Sequence, residues 1–184
     1  MAVLLSVRPK WCEFIANGKK TIEVRKTKPK IRPPFKCYIY CTKPKMITKY
    51  VFKPEDYPEY MRPEKPVFCK VPDGSSPYCS VVNGNGKVIG EFVCDVIFTM
   101  SITYSDPTSR IALKEFPYTC LTDRQIIDYL GNGNQGYGWH ISNLVIYDKP
   151  KELSEFRHCG MNYHFNPIIN KPPQSWCYVQ DLEE

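Results

Sequence analysis

Lys20, Glu23 and Arg25 lie within one short stretch, Gly18-Lys19-Lys20-Thr21-Ile22-Glu23-Val24-Arg25. A guanidinium offers a planar fork of donors to a phosphate or a base edge, a carboxylate accepts from exocyclic amines and sugar hydroxyls, and a lysine contacts phosphate or a carbonyl. A lysine that sheds its proton can instead act as a general base. The neighbours of Lys20 act in opposite senses, since Lys19 and Arg25 disfavour a further cation and Glu23 favours one. Two chemistries follow from these residue types: recognition of a nucleotide, and acid/base work shared by Lys20 and Glu23.

Side chains alternate across an extended strand, so Ile22 and Val24 share one face while Thr21, Glu23 and Arg25 share the other. The apolar pair marks the core side. Lys20 stands at the strand entrance, where alternation does not fix its direction. A row of exposed charges forming an ordinary cross-strand pair satisfies the same pattern. Upstream, Trp11, Phe14 and Ile15 recur at helical spacing, Pro9 suits a first helical position, and Asn17-Gly18 provides a left-handed stop. The local plan is strand, short helix, glycine, strand, with Ser6, Arg8 and Thr21 joining Lys20, Glu23 and Arg25 as candidate ligand contacts.

The residues Leu5-Ser6-Val7-x-Pro9, followed by Ile15-x-x-Gly18-Lys19-Lys20-Thr21-Ile22-Glu23-Val24-Arg25, resemble the signature of the ASCH family. Val88-Ile89-Gly90-Glu91-Phe92 resembles the family's second central strand, and Gly138-Trp139-His140-Ile141-Ser142-x-Leu144 its late strand. About two thirds of the chain follows the pattern; residues 42–80 and 155–175 depart from it. The resemblance implies a PUA-like pseudo-barrel and a role in RNA or nucleotide recognition. Some small bacterial members are acetylcytidine amidohydrolases that use a lysine, a threonine three residues later and a distant glutamate. Lys20 matches the lysine, but Glu23 occupies the threonine position and is not the hydroxyl nucleophile that chemistry uses. Thr21 matches a threonine already in the motif, and Glu91 is a candidate for the distant acid whose correspondence the sequence does not fix.

The net charge of +6 conceals an asymmetry. Residues 19–53 hold twelve Lys or Arg against one acid, Glu23, so this segment carries +11 and the remainder −5. Such concentration is an electrostatic footprint for a polyanion, although charge runs are also commonly solvated loops. Phe35, Tyr38, Tyr40, Tyr50 and Phe52 are interleaved with it and offer stacking faces for unpaired bases. Alternation places Tyr38 and Tyr40 on one face of the strand 36–42, where core packing competes.

At 184 residues the chain fits one domain, residues 1–184, able to bury roughly 70% of its unfolded surface. Ten of the seventeen prolines fall between 29 and 77, which excludes a regular helix there and makes about 43–80 an irregular Pro/Lys/Tyr-rich insertion. Its aromatic residues imply that it lies back across the domain. Order returns with 78–82, a turn at Asn83-Gly84-Asn85-Gly86 and the apolar run 87–102, together a hairpin pattern. Thr122 caps a second helix with Gln125 three positions on, buried through Ile126, Ile127 and Leu130. A helical turn at 151–156 and a closing strand at 176–179 belong to a C-terminal extension of about 150–184. The expected fold is α+β, an open β-barrel of mixed strands with two or three short helices.

Gly131-Asn132-Gly133-Asn134-Gln135-Gly136 satisfies a dinucleotide-binding string but follows a helix and precedes a strand, the reverse of the required context. Trp139 and His140 are further ligand-contact candidates, although in a strand only one of them can face a crevice. A core tryptophan beside a partly exposed histidine is the alternative. Gln174-Ser175-Trp176 adds amide, hydroxyl and ring groups. The odd number of cysteines, nine, argues against a disulfide framework, and Cys37, Cys41 and Cys94 read as buried thiols in a cytoplasmic protein. His158, Cys159, His164 and Cys177 lack the paired short spacing of zinc sites, so no metal or cofactor is expected. No apolar run reaches the ~20 residues of a membrane span, and the N-terminus does not read as a secretory signal. RNA or a nucleotide is the expected partner; hydrolysis of a modified nucleobase or of RNA, and a protein-docking role for 43–80, are the alternatives.

Overall fold

The computed structural model describes residues 1–43, 47–52, 59–61, 67–71, 82–83, 86–101, 117–131, 135–160 and 167–182. Strand β1, Ala2–Val7, is apolar at nearly every position and buried on both faces, as expected of a strand covered on both sides. It pairs in parallel with β3, Phe35–Cys41, Val3 standing opposite Cys37 and Val7 opposite Cys41. Helix α1, Pro9–Ala16, makes part of the crossover between them, with Pro9 in its first turn and Cys12, Ile15 and Ala16 buried. Strand β2, Ile22–Arg25, also lies between β1 and β3 in the chain but belongs to another sheet.

Three further strands arise in the 43–83 region: β4, Ile47–Phe52; β5, Val67–Val71; and β6, Val82–Asn83. They form an antiparallel sheet of order β5-β4-β6, and β4 and β5 lie beside α1. The segment therefore contains regular sheet where the proline count suggested an irregular excursion, because its prolines lie outside the paired spans. Residues 78–81 and 84–85 of the expected hairpin across Asn83–Gly86 lie outside the described residues; among the described ones β6 pairs with β4, while β7, Val88–Cys94, pairs with β3 and β10. The apolar run 87–102 is two strands, β7 and β8, Ile97–Ser101, separated at Asp95-Val96 and placed in different sheets.

Helix α2, Asp123–Leu130, opens on the predicted reciprocal cap, with Thr122 Oγ1 accepting from the Gln125 backbone N–H and the Gln125 side chain accepting from the Thr122 N–H. Strands β9, Gln135–His140, β10, Ser142–Lys151, and β11, Trp176–Val179, complete the chain. The main sheet has the order β10-β7-β3-β1-β11 and the second β2-β9-β8. This is an α+β fold with mixed sheets; among the described residues the strands form three separate sheets and no closed barrel.

One face of the main sheet, carrying Val3, Leu5, Val7, Ile39 and Phe92, packs with Cys12 and Ile15 of α1 and with Trp139 of β9. The other, carrying Leu4, Tyr38, Tyr40 and Val88, is covered by Phe156 and Ile169. The C-terminal extension thus provides the second half of the core, through a short 3-10 turn at Leu153–Glu155, the bridge Arg157 to Ile168, and β11 against β1. Tyr38 and Tyr40 are both buried there and offer no stacking face. The side chains of Tyr50 and Phe52 lie outside the described residues.

Candidate functional site

Alternation along β2 holds as expected, but the two faces have other neighbours than the hydropathy implied. Val24 faces outward into a satellite core with Met100, Ile126 and Leu130, roofed by α2. Room for that roof comes from β9: a Cβ on Gly136 would stand 2.5 Å from Leu130, and one on Gly138 would stand 3.0 Å from Ile22. The glycine-rich string before β9 therefore ends in a packing device. Glu23 is the register partner of Trp139, which belongs to the main core, so Glu23 and Arg25 point inward between the two sheets. Exposures of only 7% and 6% exclude the surface ion pair.

Lys20 turns inward with them and is 2% exposed. Gly18, at φ 67°, reverses the chain after α1, and the Lys20 backbone N–H donates to the Phe14 carbonyl at 2.9 Å. Its ammonium donates to the backbone oxygens of Ile22 and Thr119, each at 2.7 Å, and lies 3.3 Å from Glu23 Oε2. These three acceptors match the three donors of an ammonium. The Trp11 ring lies 5.5 Å from the same nitrogen. Thr119 sits in the 3-10 turn Pro117–Thr119 ahead of α2, so a loop remote in sequence fixes this lysine.

Arg25 reaches in the other direction. Nη2 donates to the Ser6 carbonyl at 2.8 Å and lies 2.9 Å from Glu23 Oε1; Nη1 donates to the Ser175 carbonyl and hydroxyl at 3.2 and 3.3 Å. Nε is buried without a partner among the described residues. Glu23 is thus held between two cations, and the buried set carries a net single positive charge. A buried carboxylate bonded to two cationic donors has its charge well compensated, whereas the unspent N–H of Arg25 is costly to leave dry.

The three residues line a cavity of about 590 Å³, within the usual range of small-ligand sites. Ser6, Arg8 and Trp11 contribute from β1 and α1, Gln125 and Tyr129 from α2, and Gln174 and Ser175 from the approach to β11. Arg8 is exposed at the rim, while the Ser6 hydroxyl is turned to the Pro173 carbonyl at 2.6 Å. The structure therefore brings Ser6, Arg8, Lys20, Glu23 and Arg25 together.

Thr21, Trp139 and His140 do not line it. The backbone of Thr21 bonds Tyr118 and Ile141. Trp139 is fully buried between Phe35 and Trp176, and His140 is partly exposed with Nδ1 2.6 Å from Asp95 Oδ1. Glu91 is likewise remote, bonded by the Tyr147 hydroxyl and paired with Lys36 at 3.5 Å. The lining residues Trp11, Gln125 and Tyr129 carried no functional signal in sequence, because helical periodicity and capping already explained their positions. Among the described residues no three His, Cys, Asp or Glu side chains converge as metal ligands; His164 lies outside them. Cys37, Cys41 and Cys94 are buried and unbridged, and burial pushes the Cys94 thiol up to about 12.

The fold is thus α+β with mixed sheets, and a charge-lined cavity lies beside its first strand. Residues 5–82 match the family model of the ASCH domain. Solved structures of ASCH from Zymomonas mobilis share the fold. A tyrosine-to-phenylalanine variant of that protein, ZmASCH, aligns with a TM-score of 0.58 and 16% identity over 97% of this chain and 90% of its own. A structure described simply as ASCH from the same organism gives 0.51 and 16% over 97% and 87%, and a serine-to-alanine variant 0.58 and 15% over 97% and 88%. None of the curated proteins matches the sequence significantly.

Proposed function

We propose that this chain recognises a nucleotide, free or within RNA and open to modified bases, in the cavity bounded by Lys20, Glu23 and Arg25. The observation that carries this reading is the buried guanidinium whose Nε is unspent beside a cavity of nucleotide size. Lys20 and Glu23 hold Arg25 in place, Arg8 supplies an exposed cation for a phosphate, and the side-chain amides of Gln174 and Gln125 are suited to a base edge. Preorganisation of this kind lowers the ordering cost of binding. Recognition also fits Lys20 better than hydrolysis does, because an ammonium donating to two carbonyls beside a carboxylate has no free lone pair for a proton.

The test is a calorimetric screen of nucleosides and 5′-mononucleotides, modified ones included, against wild type and the rim variants Arg8→Ala and Gln174→Ala. Both substitutions leave the buried charges intact. Saturable binding weakened about tenfold or more by either variant supports the reading, as a lost charge-assisted contact of about 1.5–3 kcal/mol would require. Wild-type protein that binds none of these compounds and no RNA would refute it.

A further inference from the structure

Directly after Arg25 the chain leaves β2 through Lys26, Lys28, Lys30 and Arg32, cations at alternate positions and all exposed. None of the four has a carboxylate partner in the ion pairs of the described residues, whereas Lys36, Lys87 and Arg124 do. The loop is nonetheless tied down. The Trp176 indole N–H donates to Thr27 Oγ1 at 3.0 Å, and the backbone N–H of Lys30 donates to the Tyr178 hydroxyl at 2.7 Å. Lys26 Nζ lies 5.4 Å from the centre of the Tyr129 ring, and Lys28 Nζ 5.2 Å from that of Tyr137. Such placement holds ammonium groups by cation–π attraction without neutralising them. Tyr129 also lines the cavity, so the cationic loop begins at the cavity's edge.

We infer that the β2–β3 loop is a second binding surface, holding the phosphates that flank the occupied nucleotide in a single-stranded RNA. This rests on the reading of the cavity given above and narrows its ligand from a free nucleotide to a strand. A row of cations without carboxylate partners among the described residues has one natural complement, a polyanion, and fixing them in advance reduces the entropy lost on contact. A single strand suits the surface because one nucleotide must enter a concave site while its neighbours cross partly exposed rings, Tyr129, Tyr137, Trp176 and Tyr178. Stacked bases of a duplex cannot do both.

The experiment compares a 5′-mononucleotide, a labelled short single-stranded oligoribonucleotide, its DNA counterpart, the RNA duplex and polyglutamate. Each is titrated at several salt concentrations against wild type and a variant carrying Lys26→Gln, Lys28→Gln, Lys30→Gln and Arg32→Gln, whose melting curve is checked first. The expected result is oligoribonucleotide binding weakened about tenfold or more, with a salt slope shallower by about 3 for four phosphate contacts at roughly 0.7 each. Mononucleotide binding should be unchanged. An oligoribonucleotide affinity and slope unaffected by the substitutions would overturn the second surface and leave the cavity reading standing. Duplex or polyglutamate bound as tightly as the strand would overturn the single-strand assignment, and DNA bound equally well would overturn the restriction to RNA. Failure of wild type to bind any nucleotide or strand would remove both readings together.

Discussion

Arg25 and Ser175 stand 150 positions apart in the chain, yet Nη1 of the one donates to the backbone oxygen of the other at 3.2 Å. With Nη2 on the Ser6 carbonyl, one guanidinium connects β2, β1 and the approach to β11. Because the same group lines the cavity, the site and the seam between the sheets share a residue.

Arg25→Lys keeps the charge and loses the fork. An ammonium on a shorter span cannot serve Ser6, Ser175 and Glu23 together. A loss of about 1–3 kcal/mol in urea unfolding is expected, together with loss of ligand binding. A variant as stable as wild type would show that the bridge contributes nothing.

Glu23→Gln leaves Lys20 and Arg25 buried as two cations without a counter-charge. Breaking a buried pair in this way costs about 3 kcal/mol or more, a fall in Tm of roughly 6–12 °C for a chain of this size. Differential scanning calorimetry checks it, and a shift under about 2 °C would contradict the proposed compensation.

Gly136→Ala places a methyl group against Leu130 and should cost about 1–3 kcal/mol by overpacking. Combining it with Leu130→Ala should cost less than the two single losses added, since the methyl then occupies space that the leucine vacated. Simple additivity in the double-mutant cycle would rule out the contact.

The C-terminal tail should loosen in acid. Burial pushes the Asp181 carboxyl up, but the hydrogen bond from the Tyr38 hydroxyl and the neighbouring Lys36 outweigh it and hold the carboxyl below its ordinary range. A depressed carboxyl contributes stability that is fully present above the unfolded aspartate value and is lost as pH falls through the folded one. The hydrogen-exchange protection factor of the Leu182 amide, whose N–H donates to the Tyr38 hydroxyl at 2.9 Å, should fall on acidification below the ordinary aspartate range. In Asp181→Asn that acid limb should vanish; an identical limb in the variant would assign it elsewhere.

Local order determined much of this protein. The β1–α1–β2 plan, the reciprocal cap at Thr122 and Gln125, the shared face of Tyr38 and Tyr40 on β3 and the closing strand all follow from periods of two or 3.6 and from residues with special end chemistry. The cluster of Lys20, Glu23 and Arg25 was legible for the same reason, since two charged groups on one short strand and a third at its entrance are conspicuous in one dimension. Tertiary structure alone decided which way they face. Alternation divides a strand into two faces without saying what covers each, and here α2 covers the apolar one while the main sheet and the Ser175 segment enclose the charged one. The partners that convert a charged strand into a lined cavity, Thr119 for Lys20 and Ser175 for Arg25, are backbone atoms from remote segments. Backbone carbonyls exist at every residue and leave no mark in sequence, so only the folded chain could select them.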